Sequence, residues 1–190
     1  MEGLDTIREL MKLEPRLSEQ IVDDHETFGG KIFSAHLLTV RDAAGELAAR
    51  EVVYHHGGCG VAAVRDGRLC LVRQYRVALG RMTLEIPAGK LDPGEEPAAC
   101  AARELAEETG LVADSLELIA NSAGAPGFNN EKTRVFLARG LHEGAAHPDA
   151  DEYVDVVWLP VADVVAAIRA GLIEDAKTIV AAFAIAGKLL

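Results

Sequence analysis

The sequence predicts a layered sandwich of strands and helices, of the α/β (α+β) class. One observation is that short segments with strand-like alternation recur along most of the chain. The other is that three helical segments are spaced among them, and strands mixed with a few helices are typical of such sandwiches. The 190 residues, of which 49% are hydrophobic, suffice for one domain with a packed core and a small appendage.

The appendage is expected at the start of the chain, in residues 1–55. Residues 1–24 are predicted to be helical or irregular, and they begin with a short amphipathic helix that lacks the long apolar stretch of a signal peptide. Residues 31–40 and 47–55 are strand-like and flank the polar turn RDAAGE, so an antiparallel hairpin is predicted. A lone hairpin is marginally stable, which suggests that this one packs against a partner.

The main domain is expected in residues 56–190. Its first two strands flank the turn Asp66-Gly67, and a third strand, TLEIPAG, ends at a Pro-Ala-Gly bend. A helix is predicted over Pro97–Thr109, with a glycine directly after it as its stop. Three further strands are expected at LELIA, TRVFLA and VDVVWL. Two helices follow, VADVVAAIRA and DAKTIVAAFAIAGKLL, and Asp175 is expected to open the second.

The helix predicted over Pro97–Thr109 combines an apolar stripe with a concentration of carboxylates. The stripe has the spacing of a buried helical face and consists of Ala98, Ala101, Ala102 and Leu105. Glu104, Glu107 and Glu108 fall within roughly 100° of arc. Like charges at this spacing oppose helix formation, and the helix dipole disfavours anions near the carboxyl end. A divalent cation such as Mg²⁺ or Mn²⁺ would offset this cost, and a solvated acidic face is the alternative.

Nine positions between Gly89 and Leu111 decide between these alternatives. The segment GKLDPGEEPAACAARELAEETGL has the pattern G-x5-E-x7-R-E-U-x-E-E-x-G-U, where U is aliphatic, with every defining position filled. This pattern resembles the Nudix box. The resemblance implies a loop–helix–loop metal site on an α/β/α sandwich. It also implies hydrolysis of substrates built as a nucleoside diphosphate linked to a further group.

The resemblance to the Nudix box also implies roles for individual residues. The implied metal ligands are the carboxylates of Glu104 and Glu108 and the carbonyl of Ala88, with Glu107 either a further ligand or a support for one. Arg103 and Glu95 would fix the geometry of the site through an ion pair. Two or three Mg²⁺ or Mn²⁺ ions are expected per site, where they would polarise the diphosphate and lower the pKa of an attacking water.

Segments outside the box resemble the ADP-ribose pyrophosphatase subgroup of the family. Pro126 stands 16 residues after Gly110, and the segments RQYR, TLEIPAGKLD, IEDAKTIVAAF and REVV are also similar to that subgroup. The resemblance implies cleavage of ADP-ribose to AMP and ribose 5-phosphate by a homodimer, with the N-terminal subdomain as the dimerisation element. GDP-mannose, NADH and flavin nucleotides are the alternative substrates. A non-catalytic nucleotide-sensing module, the alternative from another class, would be expected to have a degraded box.

Several residues outside the box are candidates for contact with the substrate. Arg76 could hold a phosphate through charge-assisted hydrogen bonds, and Glu85 could accept hydrogen bonds from a ribose hydroxyl; exposed surface roles are the alternatives. Phe28 could stack on a base or pack in the core. The resemblance adds Arg50, Pro126 and Gly127 to the predicted substrate-binding set.

The segment APGFNNEKT is predicted to be a flexible loop that carries Glu131. In ADP-ribose pyrophosphatases a glutamate on this loop is thought to move in as the general base, and the resemblance gives that role to Glu131. An ordinary loop carboxylate paired with Lys132 or Arg134 is the alternative.

Charge and cysteine content argue against several other classes of function. The formal net charge of -11 would repel a phosphate backbone, so nucleic-acid binding is not expected. Cys59, Cys70 and Cys100 form no CxxC pair and are expected to be buried thiols in a reducing compartment. No apolar run reaches the roughly 20 residues of a membrane span, and a cytoplasmic protein is expected.

Overall fold

The computed structural model describes residues 2–144 and 153–189. Contacts divide the chain into two compact units, Met1–His55 with Gly127–Asn130, and His56–Pro126 with Glu131–Leu190. The helices are α1 (Glu2–Leu10), α2 (Pro97–Thr109), α3 (Val161–Arg169) and α4 (Ala176–Leu189), with a 3₁₀ turn at Pro15–Leu17. The strands are β1 (Gln20–Gly29), β2 (Phe33–Arg41), β3 (Leu47–His55), β4 (Gly58–Arg65), β5 (Arg68–Arg76), β6 (Arg81–Glu85), β7 (Ala88–Lys90), β8 (Leu111–Ala123), β9 (Lys132–Glu143) and β10 (Asp155–Pro160). Leu190, the end of the last predicted helix, lies outside the described residues.

The N-terminal unit contains an antiparallel three-stranded sheet in the order β1–β2–β3. The predicted β2–β3 hairpin is present, and its strands pair with Phe33 opposite His55 and Arg41 opposite Leu47. The prediction for residues 20–24 was wrong, because they form the first half of β1. All ten residues of β1 are exposed, so the strand lacks the buried face whose alternation identifies strands in a sequence. Pairing with β2 holds this segment in its extended form.

The second unit is built on a mixed seven-stranded sheet. Five strands follow the order β10–β5–β4–β9–β8, while β6 pairs with β5 and β7 pairs with β4. The β4–β9 pair is parallel, and the other pairs are antiparallel. Asp66 and Gly67 form the turn between β4 and β5 with φ values of 51° and 71°, the left-handed conformation that two-residue hairpin turns require.

Alternate residues of the central strands face two separate apolar layers. Val61 and Ala63 of β4 pack in one cluster together with Leu105 of α2. Ala62, between them, packs in the other cluster, which contains Val164 of α3 and residues of α4. Because successive side chains of a strand point to opposite faces, α2 covers one face of the sheet and α3 and α4 cover the other. The predicted α/β/α sandwich is confirmed.

Helix α2 has the predicted bounds but buries a different face. Gly110 ends the helix at a φ of 70°, and its N–H donates to the carbonyl of Ala106 at 2.9 Å. The predicted stripe was wrong in part, because Ala98 and Ala102 are exposed. The buried residues of the helix are Cys100, Ala101, Glu104, Leu105 and Glu108. Apolar periodicity could not reveal this face, because two of its five members are glutamates.

The three cysteines are free and buried, as predicted. Burial raises the pKa of Cys70 to about 12, so this thiol stays protonated at neutral pH and is unreactive as a nucleophile. Among the described helices, none has the combination of length and hydropathy that crossing a membrane requires.

Candidate metal and diphosphate site

Helix α2 carries two glutamates on its buried face. Glu104 and Glu108 are only 7% and 6% exposed, and Glu107 is partly buried beside them. Gly89 in β7 makes room for the first of these, because a Cβ atom at that position would lie 1.9 Å from Oε1 of Glu104. Burying carboxylates is costly unless their charge is compensated. Two buried carboxylates, those of Glu104 and Glu108, thus lie between helix α2 and the backbone of β7.

Arg103 is the cation at the centre of this charge. Its Nε and Nη2 donate to the two oxygens of Glu95, both at 3.0 Å, and its Nη1 donates to Glu104 at 2.7 Å and to Glu107 at 2.9 Å. Nη2 also donates to the carbonyl of Lys90 at 3.2 Å. The hydrogen bonds from Arg103 lower the pKa of Glu95 to about 2, and the same carboxylate raises the pKa of Arg103. One guanidinium therefore orients three carboxylates of the box.

Glu108 is oriented from the other side, by β7. Its Oε2 accepts the N–H of Ala88 at 2.9 Å. The backbone of Ala88 therefore positions the Glu108 carboxylate, and the carbonyl of Ala88 and this carboxylate are both predicted metal ligands. Across residues 2–144 and 153–189, no three His, Cys, Asp or Glu side chains already stand together as a metal cluster. Glu104 and Glu107 turn toward Arg103 instead. The donors are nevertheless all oxygens, the ligand type that Mg²⁺ and Mn²⁺ prefer, so this set of residues fits a hard divalent cation.

A second charged cluster surrounds Glu85 at the end of β6. Glu85 is 3% exposed, and Arg76 donates to both of its oxygens, from Nε and Nη2, at 2.7 Å each. Thr83 Oγ1 at 2.7 Å and Lys177 Nζ at 2.5 Å donate to it as well. Burial opposes the charged form, but the bonds from Arg76, Lys177 and Thr83 outweigh it and lower the pKa of Glu85 to about 2. Glu85 is therefore a buried anchor for two cations, and the alternative of an exposed strand carboxylate is wrong.

The Glu85 cluster forms part of the wall of a cavity of about 400 Å³. The charged residues that line the cavity are Arg76, Arg81, Lys177, Glu85, Glu174 and Asp175. Arg81 and Glu174 form an ion pair with each other. Leu79 and Leu172 contribute apolar surface. Apolar walls with a few convergent charged groups are typical of small-molecule sites.

The loop that was expected to be flexible is hydrogen-bonded to β3. Val53 donates its N–H to the carbonyl of Phe128 at 2.7 Å, and Asn130 donates its N–H to the carbonyl of Val53 at 3.2 Å. The N–H of His55 donates to Oδ1 of Asn130 at 2.8 Å. The loop therefore continues the sheet of the N-terminal unit as a parallel bridge, an interaction that its composition of Gly and Asn does not reveal. Glu131 follows this anchored stretch and is partly buried.

The other predicted substrate-binding residues are on the surface: Phe28, Arg50, Pro126 and Gly127. Phe28 is 53% exposed and packs its ring against Phe33 with the centroids 5.4 Å apart, so the alternative of a core position is wrong. Arg50 forms an ion pair with Glu19 in the same unit.

Lys177 and Thr178 were not identified from the sequence. Lys177 connects Glu85 to Asp175, which accepts its second hydrogen bond at 2.8 Å. Thr178 is fully buried, and its Oγ1 accepts the N–H of Ile86 at 2.8 Å. One signal was present, because a lysine in the first turn of a helix lies where the dipole disfavours cations and therefore indicates a carboxylate partner.

Known proteins resemble this chain over most of its length. Residues 54–183 match the family profile described as the NUDIX domain. The chain is 36% identical over 166 residues to the methanol dehydrogenase activator of Bacillus methanolicus, a match that covers 86% of this chain and 90% of that protein. It is 39% identical over 165 residues to the ADP-ribose pyrophosphatase of Bacillus subtilis (strain 168), which covers 85% and 89% of the two chains.

The fold has a close structural counterpart as well. The crystal structure of an ADP compounds hydrolase superposes with a TM-score of 0.81, covering 93% of this chain and 97% of that one, at 21% sequence identity. The family profile spans more than half of the chain, and both relatives exceed 30% identity over most of their own length. The chain therefore belongs to the NUDIX domain family and is a Nudix hydrolase.

Proposed function

We propose that this Nudix hydrolase cleaves the diphosphate of ADP-ribose to AMP and ribose 5-phosphate with Mg²⁺ or Mn²⁺ bound. The observation that carries the proposal is the burial of Glu104 and Glu108 on one face of α2 beside the backbone of β7. This burial disfavours the alternative of a solvated acidic face. The 39% identity to a protein named ADP-ribose pyrophosphatase supports the choice of substrate.

The carboxylates of Glu104 and Glu108 and the carbonyl of Ala88 would hold the cations, of which we propose two or three. Glu107 would be a further ligand or a support for one. Bound cations would polarise the phosphates and lower the pKa of the attacking water. Arg103 keeps the carboxylates at fixed positions, because its planar guanidinium offers several N–H donors in a rigid arrangement.

Some of the residues proposed to contact the substrate belong to the charged clusters, and the others lie on the surface. Arg76 would bind a phosphate while Glu85 holds its guanidinium, and Glu131 would act as the general base. Glu131 directly follows Asn130, whose N–H donates to the carbonyl of Val53. The nucleoside would contact Phe28, Arg50, Pro126 and Gly127.

We also propose a cytoplasmic homodimer in which residues 1–55 form the dimerisation subdomain. The fully exposed edge strand β1 supports this role, since an unpaired strand edge favours association with another chain. The three buried free thiols are consistent with a reducing compartment. The net charge of -11 disfavours nucleic acid as a partner.

A substrate panel tests the proposal directly. With Mg²⁺ present, we expect ADP-ribose to exceed GDP-mannose, NADH and FAD by roughly tenfold or more in kcat/KM, with AMP and ribose 5-phosphate as products. EDTA is expected to abolish turnover. Equal or better hydrolysis of another member of the panel would refute ADP-ribose as the substrate while leaving the reaction class intact.

The Glu108→Gln variant tests the metal site. Glutamine keeps the shape of the side chain and can still accept the N–H of Ala88, so the fold should be preserved. We expect kcat to fall by about a hundredfold or more, because a neutral amide is a poor ligand for a hard cation. Glu117→Gln, which removes an exposed carboxylate paired with Arg139, is the matched control. Near-normal turnover by Glu108→Gln would refute the assignment of Glu108 as a metal ligand.

A further inference from the structure

Lys177 is a partly buried cation in the first turn of α4, and the proposed catalytic steps do not use it. Its Nζ donates to Oε2 of Glu85 at 2.5 Å and to Oδ1 of Asp175 at 2.8 Å, and its side chain is 15% exposed. Its stem passes β4, where a Cβ atom at Gly60 would lie 3.6 Å from the Cδ of Lys177. Both burial and the helix dipole disfavour an ammonium at this place, so its carboxylate contacts must outweigh them.

We propose that Lys177 is a positioning residue that sets the Arg76–Glu85 pair for binding a substrate phosphate. The inference rests on the proposed function, in which Arg76 contacts the diphosphate. Arg76 uses Nε and Nη2 for Glu85, and this bidentate contact turns the Nη1 edge of the guanidinium away from that carboxylate. Arg76 lines the 400 Å³ cavity with a side chain that is 42% exposed. Its outer edge is therefore the part that a ligand in the cavity can reach.

The charge balance of the cluster shows what Lys177 contributes. Arg76 and Lys177 carry two positive charges, and Glu85 and Asp175 carry two negative ones, so the hydrogen-bonded group is neutral. Without Lys177 the group would have a net charge of -1 beside the cavity, and a phosphate would be repelled. Neighbouring Arg81 and Glu174 neutralise each other and do not alter this balance.

Lys177 also fixes the direction of the carboxylate that holds Arg76. Oε2 of Glu85 accepts from both Lys177 and Arg76, while Oε1 accepts from Arg76 and Thr83. Removing one donor from Oε2 would weaken the restraint on rotation of the carboxylate, and with it the restraint on the guanidinium. The positive charge of Lys177 and its hydrogen bond to Oε2 of Glu85 are therefore both required.

Two variants separate charge from packing. Lys177→Met keeps most of the aliphatic stem and removes the charge, whereas Lys177→Arg keeps the charge. With the nucleoside diphosphate compound that the wild type hydrolyses best, we expect Lys177→Met to raise KM by about tenfold and to change kcat by less than about threefold. Lys177→Arg is expected to restore KM to within about threefold. Lys12→Met, which removes an exposed lysine paired with Glu9, is the control for net charge and should leave KM unchanged.

A binding measurement gives a second readout that does not depend on turnover. Calorimetry with ADP as the probe, in buffer containing Mg²⁺, should show binding weakened by about tenfold in Lys177→Met and largely restored in Lys177→Arg. If no compound is hydrolysed but ADP binding follows this order, the proposed function fails and the inference on Lys177 stands. The inference is overturned if Lys177→Met binds ADP as the wild type does, if Lys177→Arg is as weak as Lys177→Met, or if the wild type does not bind ADP.

Discussion

At the scale of single residues, Gly89 shows how a missing side chain shapes the site. The carboxylate of Glu104 occupies the space that a Cβ atom would take, with its three end atoms between 1.9 and 2.4 Å from the position of that Cβ. Glu104 is 7% exposed and is hydrogen-bonded to Arg103, so it has little freedom to move aside. The glycine of the motif is therefore required by a close approach between β7 and α2 in this protein.

The Gly89→Ala variant should lose activity more than stability. The added methyl group displaces the Glu104 carboxylate, and we expect kcat to fall by roughly tenfold or more, because catalysis depends on closely held geometry. Overpacking of this kind costs about 1–3 kcal/mol of stability. Gly187→Ala is the matched control, since nothing lies within 4 Å of a Cβ at that position in α4. Wild-type kinetics in Gly89→Ala would show that the close approach of the Glu104 carboxylate to the backbone of β7 is not needed for turnover.

Glu85 should make the stability of the protein sensitive to acid. Its folded pKa of about 2 lies below the ordinary value of 4.5, so the unfolded chain binds the proton more readily. The stabilising contribution is complete above about pH 4.5 and is lost as the pH falls toward 2; the shift corresponds to roughly 3 kcal/mol.

Urea unfolding between pH 6 and pH 2.5 measures this contribution. We expect the free energy of unfolding of the wild type to decrease with acid more steeply than that of Glu85→Gln, although the variant is less stable at neutral pH by about 3–5 kcal/mol because Arg76 and Lys177 lose their shared partner. Glu117→Gln, from an exposed ion pair, should follow the wild-type curve. Parallel curves for the wild type and Glu85→Gln would contradict the lowered pKa of Glu85.

At the scale of elements, the start of α4 is joined to the strand that leads into the box. Asp175 caps the helix, because its Oδ2 accepts the N–H of Thr178 at 3.0 Å. The hydroxyl of Thr178 donates to the same oxygen at 2.5 Å and accepts the N–H of Ile86, between β6 and β7, at 2.8 Å. The helix cap and the strand end thus share one buried hydroxyl group.

Replacing Thr178 by valine should reveal the strength of this connection. Valine has the shape of threonine but leaves the buried N–H of Ile86 without its acceptor, so we expect a loss of about 1–3 kcal/mol in the free energy of unfolding. Thr178→Ser retains the hydroxyl and should lose less, about 1 kcal/mol, through the missing methyl group. Denaturant unfolding of both variants gives the comparison. A valine variant as stable as the wild type would mean that the hydroxyl contributes nothing.

The elements that could be predicted are those whose signals are local. Helix α2 was predicted with its correct bounds because both of its end signals are local: Pro97 is its first residue, and Gly110 directly follows its last. The turn at Asp66 and Gly67 was found for the same reason. Strand β1 was missed because it has no buried face, and the contact between Glu85 and Lys177 was not predicted because the two residues lie 92 positions apart. Contacts at that separation depend on the tertiary fold, and local sequence patterns do not contain them.

At the scale of the whole molecule, the proposed surface of association is the exposed edge strand β1 of the N-terminal unit. Every residue of β1 is exposed, including the apolar side chains of Ile21, Val22 and Phe28. Isolated apolar residues are common on protein surfaces, but an edge strand with an unpaired outer side and exposed apolar residues favours association with another chain. A twofold dimer would place the same surface of a second chain against this one.

The proposed dimer can be tested by sedimentation. We expect the wild type to sediment at about 40 kDa, twice the 20.2 kDa of one chain, since a stable interface of about 1,200–2,000 Å² resists dilution. A double variant, Ile21→Lys with Val22→Lys, would bury two unpaired charges in that interface, and we expect it to sediment as a monomer with a raised KM. Tyr153→Lys, which replaces an apolar side chain that is 86% exposed outside the N-terminal unit, should remain dimeric. A monomeric wild type would exclude the dimer, and a dimeric double variant would place the interface elsewhere.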